Sequence, residues 1–108
     1  MKYLMSLALC ALSFIALPVF ATEVIEVAIR DHLFFPSEIE ISANTKVKLL
    51  IINHDDTAEE FESYELNREK VIPANSQSSV FIGPLPKGVY PFFGEFFPKT
   101  AQGKVIVK

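Results

Sequence analysis

Hydrophobic and polar positions alternate with a period of two along most of the chain after residue 21. The alternation is clear in residues 24–29, in 38–41 (Glu-Ile-Glu-Ile) and in 104–108. Because successive side chains of a strand point to opposite faces, this period predicts strands with one buried and one solvated face. Residues 46–53 begin in the same way and become continuously apolar, which predicts a central strand buried on both faces.

Turn residues separate these segments and predict an all-β fold. The clusters are Ala43-Asn44-Thr45, Pro73-Ala74-Asn75-Ser76 and Gly83-Pro84-Leu85-Pro86-Lys87-Gly88. About seven strands of an antiparallel sandwich in one domain are predicted, with a short extended piece at 34–36 and a single helical turn possible at 66–69. The seven strands are 24–29, 38–41, 46–53, 70–72, 78–82, 89–93 and 104–108.

The first 21 residues have the features of an export signal. Lys2 gives a positive start, residues 3–17 are apolar, and Val19-Phe20-Ala21 places small side chains before the cleavage point. The apolar run is shorter than a membrane span of about 20 residues. We therefore predict a cleaved signal peptide at residues 1–21 and a periplasmic domain at 22–108 with no membrane span; an uncleaved anchor is the alternative.

Cleavage after residue 21 would remove every sulfur atom, since these belong to Met1, Met5 and Cys10. Only His32 and His54 then remain as nitrogen ligands. Loss of Lys2 from ten bases leaves nine against thirteen acids, and this acidic balance argues against nucleic acid as a partner. Neither a Gly-x-Ser-x-Gly nor a His-Glu-x-x-His motif occurs, so we do not expect an enzyme.

Four segments together resemble the cupredoxin family and cover essentially all of the chain after residue 21. This resemblance implies a Greek-key β-sandwich. Residues 29–41 resemble the first hairpin of the family, and residues 47–53 end in the asparagine that commonly closes its third strand. Residues 73–82 resemble the turn and strand that precede its final hairpin, and residues 88–107 resemble that ligand-bearing hairpin.

Copper-binding cupredoxins carry one histidine after the asparagine strand, and a cysteine, a histidine and usually a methionine in the last loop. By position, Glu59 (or Glu60) stands for the first histidine and Gly94 for the cysteine. Phe97 stands for the second histidine, and Ala101 or Gln102 for the methionine. Type 1 copper needs a thiolate and two imidazoles. The resemblance therefore implies a cupredoxin-like domain without a type 1 copper site.

A more specific resemblance lies in Thr57-Ala58-Glu59-Glu60-Phe61-Glu62-Ser63 and the following Leu66-Asn67-Arg68-Glu69-Lys70. These segments resemble the EfeO-type cupredoxin-like domains, which occur as small periplasmic proteins or attached to components of iron uptake systems. The resemblance implies a metal-binding accessory for iron or copper ions. It also implies an inner-membrane iron permease or a periplasmic iron-binding protein as partner. Relatives often carry a histidine where this chain has Phe97.

The acidic stretch from Asp55 to Glu65 contains six acids and no base. Carboxylates are hard donors suited to Fe(III), Ca(II) or Mn(II). If residues 59–63 are extended, Glu60 and Glu62 share one face, while Glu59 lies on the other with Phe61 and Ser63. The predicted ligands are therefore Glu59 with Glu95 of the last loop, or Glu60 with Glu62 and a third residue. A solvated acidic loop is the alternative.

Two further groups have a structural and a functional interpretation. Phe96 and Phe97 in the last loop are candidate partner-binding residues of a metal-free interaction module, or else they pack as a lid on the core. His54 with Asp55 and Asp56 is a weaker metal candidate; a turn in which Asn53 and Asp55 bond their own backbone is favoured.

Overall fold

Nine β-strands form two packed sheets in the computed structural model, which describes residues 22–108. The first sheet has the strand order β2-β1-β4-β7 and the second β3-β9-β8-β5-β6. The predicted all-β sandwich is confirmed, whereas the predicted signal peptide lies outside the described residues. The strands are β1 (Glu23–Arg30), β2 (Leu33–Phe35), β3 (Glu38–Ile41), β4 (Val47–Asn53), β5 (Glu59–Ser63), β6 (Arg68–Ile72), β7 (Gln77–Ile82), β8 (Gly88–Gly94) and β9 (Gln102–Val107).

The inner faces of the two sheets meet in one apolar core. Strand β4 is central, as predicted, and its residues Val47, Leu49 and Ile51 are fully buried. The prediction that both faces of β4 are buried is wrong in part, since Leu50 and Ile52 on the other face are only half-buried. That face is the outside of a two-layer sandwich, where neighbouring side chains alone cover it. Within residues 22–108, no helix is long and apolar enough to cross a membrane.

Two of the strand pairings are parallel, although the sequence predicts an antiparallel sandwich. Strand β1 pairs with β4, and β3 pairs with β9, in the parallel sense, while the other pairings are antiparallel. Parallel neighbours require a connection that crosses over rather than a tight hairpin. Here the chain passes from β2 in the first sheet to β3 in the second before it returns to β4.

The hairpin of β5 and β6 replaces the helical turn considered at residues 66–69. Residues 64–67 form the turn, and Asn67 closes it with a positive φ of 52°. The Leu66 N–H donates to the Ser63 hydroxyl at 3.0 Å, and the Leu66 side chain is buried beneath the turn. Strand β6 therefore begins early enough for Glu69 to lie opposite Glu62.

Asn53 at the end of β4 is a buried junction between loops. Its Nδ2 donates to the carbonyls of Thr57, Ile72 and Pro73 at 2.9, 3.2 and 3.2 Å. Its Oδ1 accepts the N–H of Asp55 at 3.0 Å, which is the predicted turn. An asparagine is needed because only an amide both donates and accepts in this way.

We expect the isosteric change Asn53→Asp to lower the free energy of unfolding by about 2–4 kcal/mol, because a carboxylate cannot donate to the three carbonyls. Urea denaturation measures this loss. The matched control is Gln77→Glu, at an exposed amide, which should cost less than about 1 kcal/mol. Equal stability of the two variants would contradict the role of Asn53.

Candidate functional site

Strand β5 distributes the predicted metal ligands between the two faces of its sheet. Glu59, Phe61 and Ser63 point inward and are at most 2% exposed, while Glu60 and Glu62 on the outer face are half-buried. The Phe61 ring packs 5.0 Å from the Phe92 ring, centroid to centroid, which fixes the inward face. The candidate glutamates consequently do not form one group.

Three carboxylates meet on the outer face, where β6 adds Glu69 to Glu60 and Glu62. One oxygen from each residue lies within 4.8 Å of the others, and we call these three residues the acidic triad. It is the only group of three or more potential ligand residues found within residues 22–108. The sequence predicts that a third residue joins Glu60 and Glu62. The sequence alone does not indicate that this third residue is Glu69. The register of the β5–β6 hairpin does, because it places Glu69 opposite Glu62.

The pKa of Glu60 is raised from 4.5 to about 7. The main cause is a hydrogen bond shared with Glu69, followed by partial loss of hydration and by repulsion from the Glu69 carboxylate. Glu62 adds smaller contributions of the same kind. Within residues 22–108, basic side chains approach acidic ones in the contacts His32–Asp55, Lys104–Glu38 and Lys108–Glu40, and none of these includes a triad residue. Protonation of Glu60 or a bound cation would lower this repulsion.

Glu59 reaches the last loop through the inside of the sandwich. Its Oε1 accepts the N–H groups of Glu60 and Phe96, each at 2.9 Å. Its Oε2 is buried without a hydrogen-bond partner among the described residues. A Cβ added to Gly94 would stand 2.5 Å from this oxygen and 2.7 Å from the Ala101 Cβ. Three of the positions matched to copper ligands thus lie side by side.

Glu95 and the two phenylalanines occupy the loop between β8 and β9. Glu95 is exposed, and its N–H donates to the Glu60 carbonyl at 2.9 Å, but its carboxylate is not part of the acidic triad. Phe96 is 47% exposed. Phe97 is half-buried and stacks on the His32 ring, with centroids 3.5 Å apart. Phe96 is therefore the more accessible of the two candidate docking residues, and Phe97 packs against the His32 ring.

His32 and Asp55 connect the β1–β2 turn, the β4–β5 loop and, through Phe97, the β8–β9 loop. The Asp55 carboxylate accepts the N–H groups of Asp31 and His32 at 2.8 and 3.0 Å, and it lies 3.4 Å from the His32 Nδ1. The prediction that the Asp55 side chain bonds its own backbone is wrong, because the β1–β2 turn supplies the donors. His54 is exposed and belongs to no ligand group among the described residues.

The raised pKa of Glu60 generates a prediction about stability and pH. Between about pH 4.5 and 7 the folded chain binds more protons at Glu60 than the unfolded chain does, so this contribution to stability falls as the pH rises and is absent above about 7. We expect Glu60→Gln to reduce the loss of stability between pH 4.5 and 7 and to raise the urea midpoint at pH 8. The exposed control Glu26→Gln should keep the wild-type slope; the same slope in Glu60→Gln would contradict the assignment.

Comparisons with known proteins agree with this architecture. The family described as cupredoxin-like domain matches residues 3–107. An uncharacterized protein of Rickettsia prowazekii (strain Madrid E) is 43% identical over 83 residues, which are 77% of this chain and 66% of that protein. The chain thus spans just under two thirds of that relative's length.

Among solved structures, auracyanin A, a "blue" copper protein of Chloroflexus aurantiacus, has a TM-score of 0.68 at 14% identity, with 82% of this chain and all of that chain covered. The metal-binding domain of the Cu(I)-exporting P-type ATPase CopA of Streptococcus pneumoniae has a TM-score of 0.62 at 13% identity and covers 82% of this chain and 98% of that one. Likeness at such identities concerns the fold. With the match over residues 3–107, it leads to the conclusion that the chain belongs to the cupredoxin-like domain family.

Proposed function

We propose that this protein is a periplasmic accessory of iron or copper uptake that binds a hard metal ion at the acidic triad and has no type 1 copper centre. The observation that carries the proposal is the approach of three carboxylates, from Glu60, Glu62 and Glu69, to within 4.8 Å of one another. Carboxylates suit hard cations. A bound cation would replace the proton that the raised pKa of Glu60 retains.

The donor set at the opposite face does not fit type 1 copper, the centre that the fold family implies. Glu59, Gly94, Phe97 and Ala101 offer one carboxylate, no side chain, a phenyl ring and a methyl group. Type 1 copper requires a thiolate and two imidazoles, and residues 22–108 contain neither cysteine nor methionine. No step of the proposed function therefore passes through such a centre.

The partly open position of the triad supports transfer rather than storage. Glu69 is exposed and its two partners are half-buried, so water would complete the coordination of a bound ion and the ion could leave. The resemblance of residues 57–70 to EfeO-type domains supports iron, with an inner-membrane iron permease or a periplasmic iron-binding protein as recipient. In the Streptococcus protein, a domain of this fold serves as the metal-binding part of a copper exporter.

A second candidate function is a metal-free interaction module of a periplasmic or membrane transport complex. The observation that favours it is the Phe96 ring, which is 47% exposed in the loop between β8 and β9 and is accessible to an apolar surface of a partner. The two functions differ in whether the triad binds a cation.

Calorimetric titration with Mn(II), Cu(II) and, without oxygen, Fe(II) tests the metal site. We expect the variant Glu60→Gln/Glu62→Gln/Glu69→Gln to bind at least tenfold more weakly than the wild type, because it removes the charged ligands. The matched control is Glu23→Gln/Glu26→Gln/Glu65→Gln, which removes the same charge at exposed positions. Wild-type affinity should also fall from pH 8 to pH 5.5, since protons then compete at Glu60.

Equal affinity of the two triple variants, or no binding by the wild type, would contradict the metal-binding function and favour the interaction module. Iron accumulation by cells starved of iron tests the uptake role. We expect cells without the protein to accumulate less iron, with recovery by the wild type and the control variant but not by the triad variant.

The proposed export predicts where the mature chain begins. Protein from the periplasmic fraction should have an intact mass that corresponds to a chain starting at Thr22, because the peptidase signal ends at Ala21. Mass spectrometry of cell fractions measures this. Full-length protein in the cytoplasm or held in the membrane would contradict the assignment.

A further inference from the structure

Glu59 is a carboxylate in an unusual environment, since its side chain is 1% exposed and lies among apolar core residues. A buried charged or polar group is costly unless hydrogen bonds replace its water. Only Oε1 has such bonds, to the N–H groups of Glu60 and Phe96, and Oε2 has none within the described residues. The burial of Glu59 with one unpaired oxygen therefore needs a structural explanation.

The residues around Oε2 explain why a carboxylate is buried at position 59. A Cβ on Gly94 would overlap the Glu59 carboxylate and the Ala101 methyl group, so the carboxylate fills the volume that a side chain at position 94 would need. Glycine at 94 and glutamate at 59 are therefore complementary. By position these are the residues that stand for the cysteine and the first histidine of a copper site.

The same carboxylate joins a strand to a loop. Oε1 accepts one N–H from β5 and one from Phe96, which is 37 residues further along the chain. The loop is closed on itself by the Gly94 N–H, which donates to the Ala101 carbonyl at 2.8 Å, and by the Ala101 N–H, which donates to the Phe97 carbonyl at 2.9 Å. Without the bond to Glu59, no side chain of β5 would hold the amide of Phe96.

We propose that Glu59 is a carboxylate plug, which fills the ligand position at Gly94 and joins β5 to the loop of residues 95–101 in place of a metal ion. In a copper-binding relative, an ion with ligands from both segments makes this link. Here the Glu59 side chain makes it, next to the backbone bond from the Glu95 N–H to the Glu60 carbonyl. The inference is independent of the proposed cation site, because the acidic triad lies on the opposite face of β5.

Amide hydrogen exchange of the metal-free protein in the presence of a chelator tests the plug. The Phe96 amide should be protected in the wild type, and Glu59→Ala should speed its exchange at least tenfold, while the amide of Leu49 in β4 stays protected. Glu59→Gln should keep most of the protection, because its amide oxygen can still accept both N–H groups. Unchanged protection of Phe96 in Glu59→Ala would overturn the proposal.

A double-mutant cycle keeps the test decisive if Glu59→Ala lowers the stability of the whole domain. Gly94→Ala should lower the Tm by roughly 10 °C in the wild type, because its methyl group meets the carboxylate. In the Glu59→Ala background the same change should cost clearly less, with a remainder from the Ala101 contact. Additive losses would overturn the proposal.

Paramagnetic Mn(II) separates the plug from a metal ligand. Line broadening in NMR spectra should be strongest at the amides of Glu62 and Glu69 and weaker at Gly94 and Ala101, because Gly94 lies on the neighbouring strand and is further from the outer face. Broadening centred on Gly94 and Ala101 would overturn the plug. If no signal broadens, the metal-binding function fails while the absence of an ion at Glu59 agrees with the plug.

Discussion

The packing of Phe61 against Phe92 and Phe34 is the contact on which both the proposed cation site and the proposed carboxylate plug depend. It fixes which residues of β5 face the core. Because side chains of a strand alternate, a shift by one residue would exchange the two faces. The inward position of Phe61 therefore places Glu59 inside the sandwich, and it places Glu60 and Glu62 outside, next to β6.

This division gives the neighbouring residues Glu59 and Glu60 opposite environments. Glu59 exchanges water for two backbone N–H groups and is held in one arrangement. Glu60 keeps contact with solvent but is crowded by Glu62 and Glu69, so that its pKa is raised to about 7. A carboxylate with one oxygen held by two backbone N–H groups is suited to a structural role, whereas carboxylates that repel one another are suited to receive a cation.

The alternation of the sequence was sufficient to predict most strands and the sandwich. Strand β5 was not among the predicted strands, and its two faces followed only on the condition that residues 59–63 are extended. The alternation could not predict Glu69 as a member of the triad, because its position depends on the turn that ends at Asn67 and sets the register of β6. Nor could local pattern reveal that Asp55 binds the β1–β2 turn, or that Glu59 binds Phe96, since both partners are distant in sequence. Pairings of that kind are decided by the Greek-key connections.

Anomalous diffraction from crystals grown with Mn(II) tests the central claim most directly, namely that β5 presents a cation site outward and a metal-free carboxylate inward. The account predicts one peak among the oxygens of Glu60, Glu62 and Glu69, with Glu59 still bonded to the Phe96 amide. A peak between Glu59 and Gly94, with none at the outer face, would contradict it.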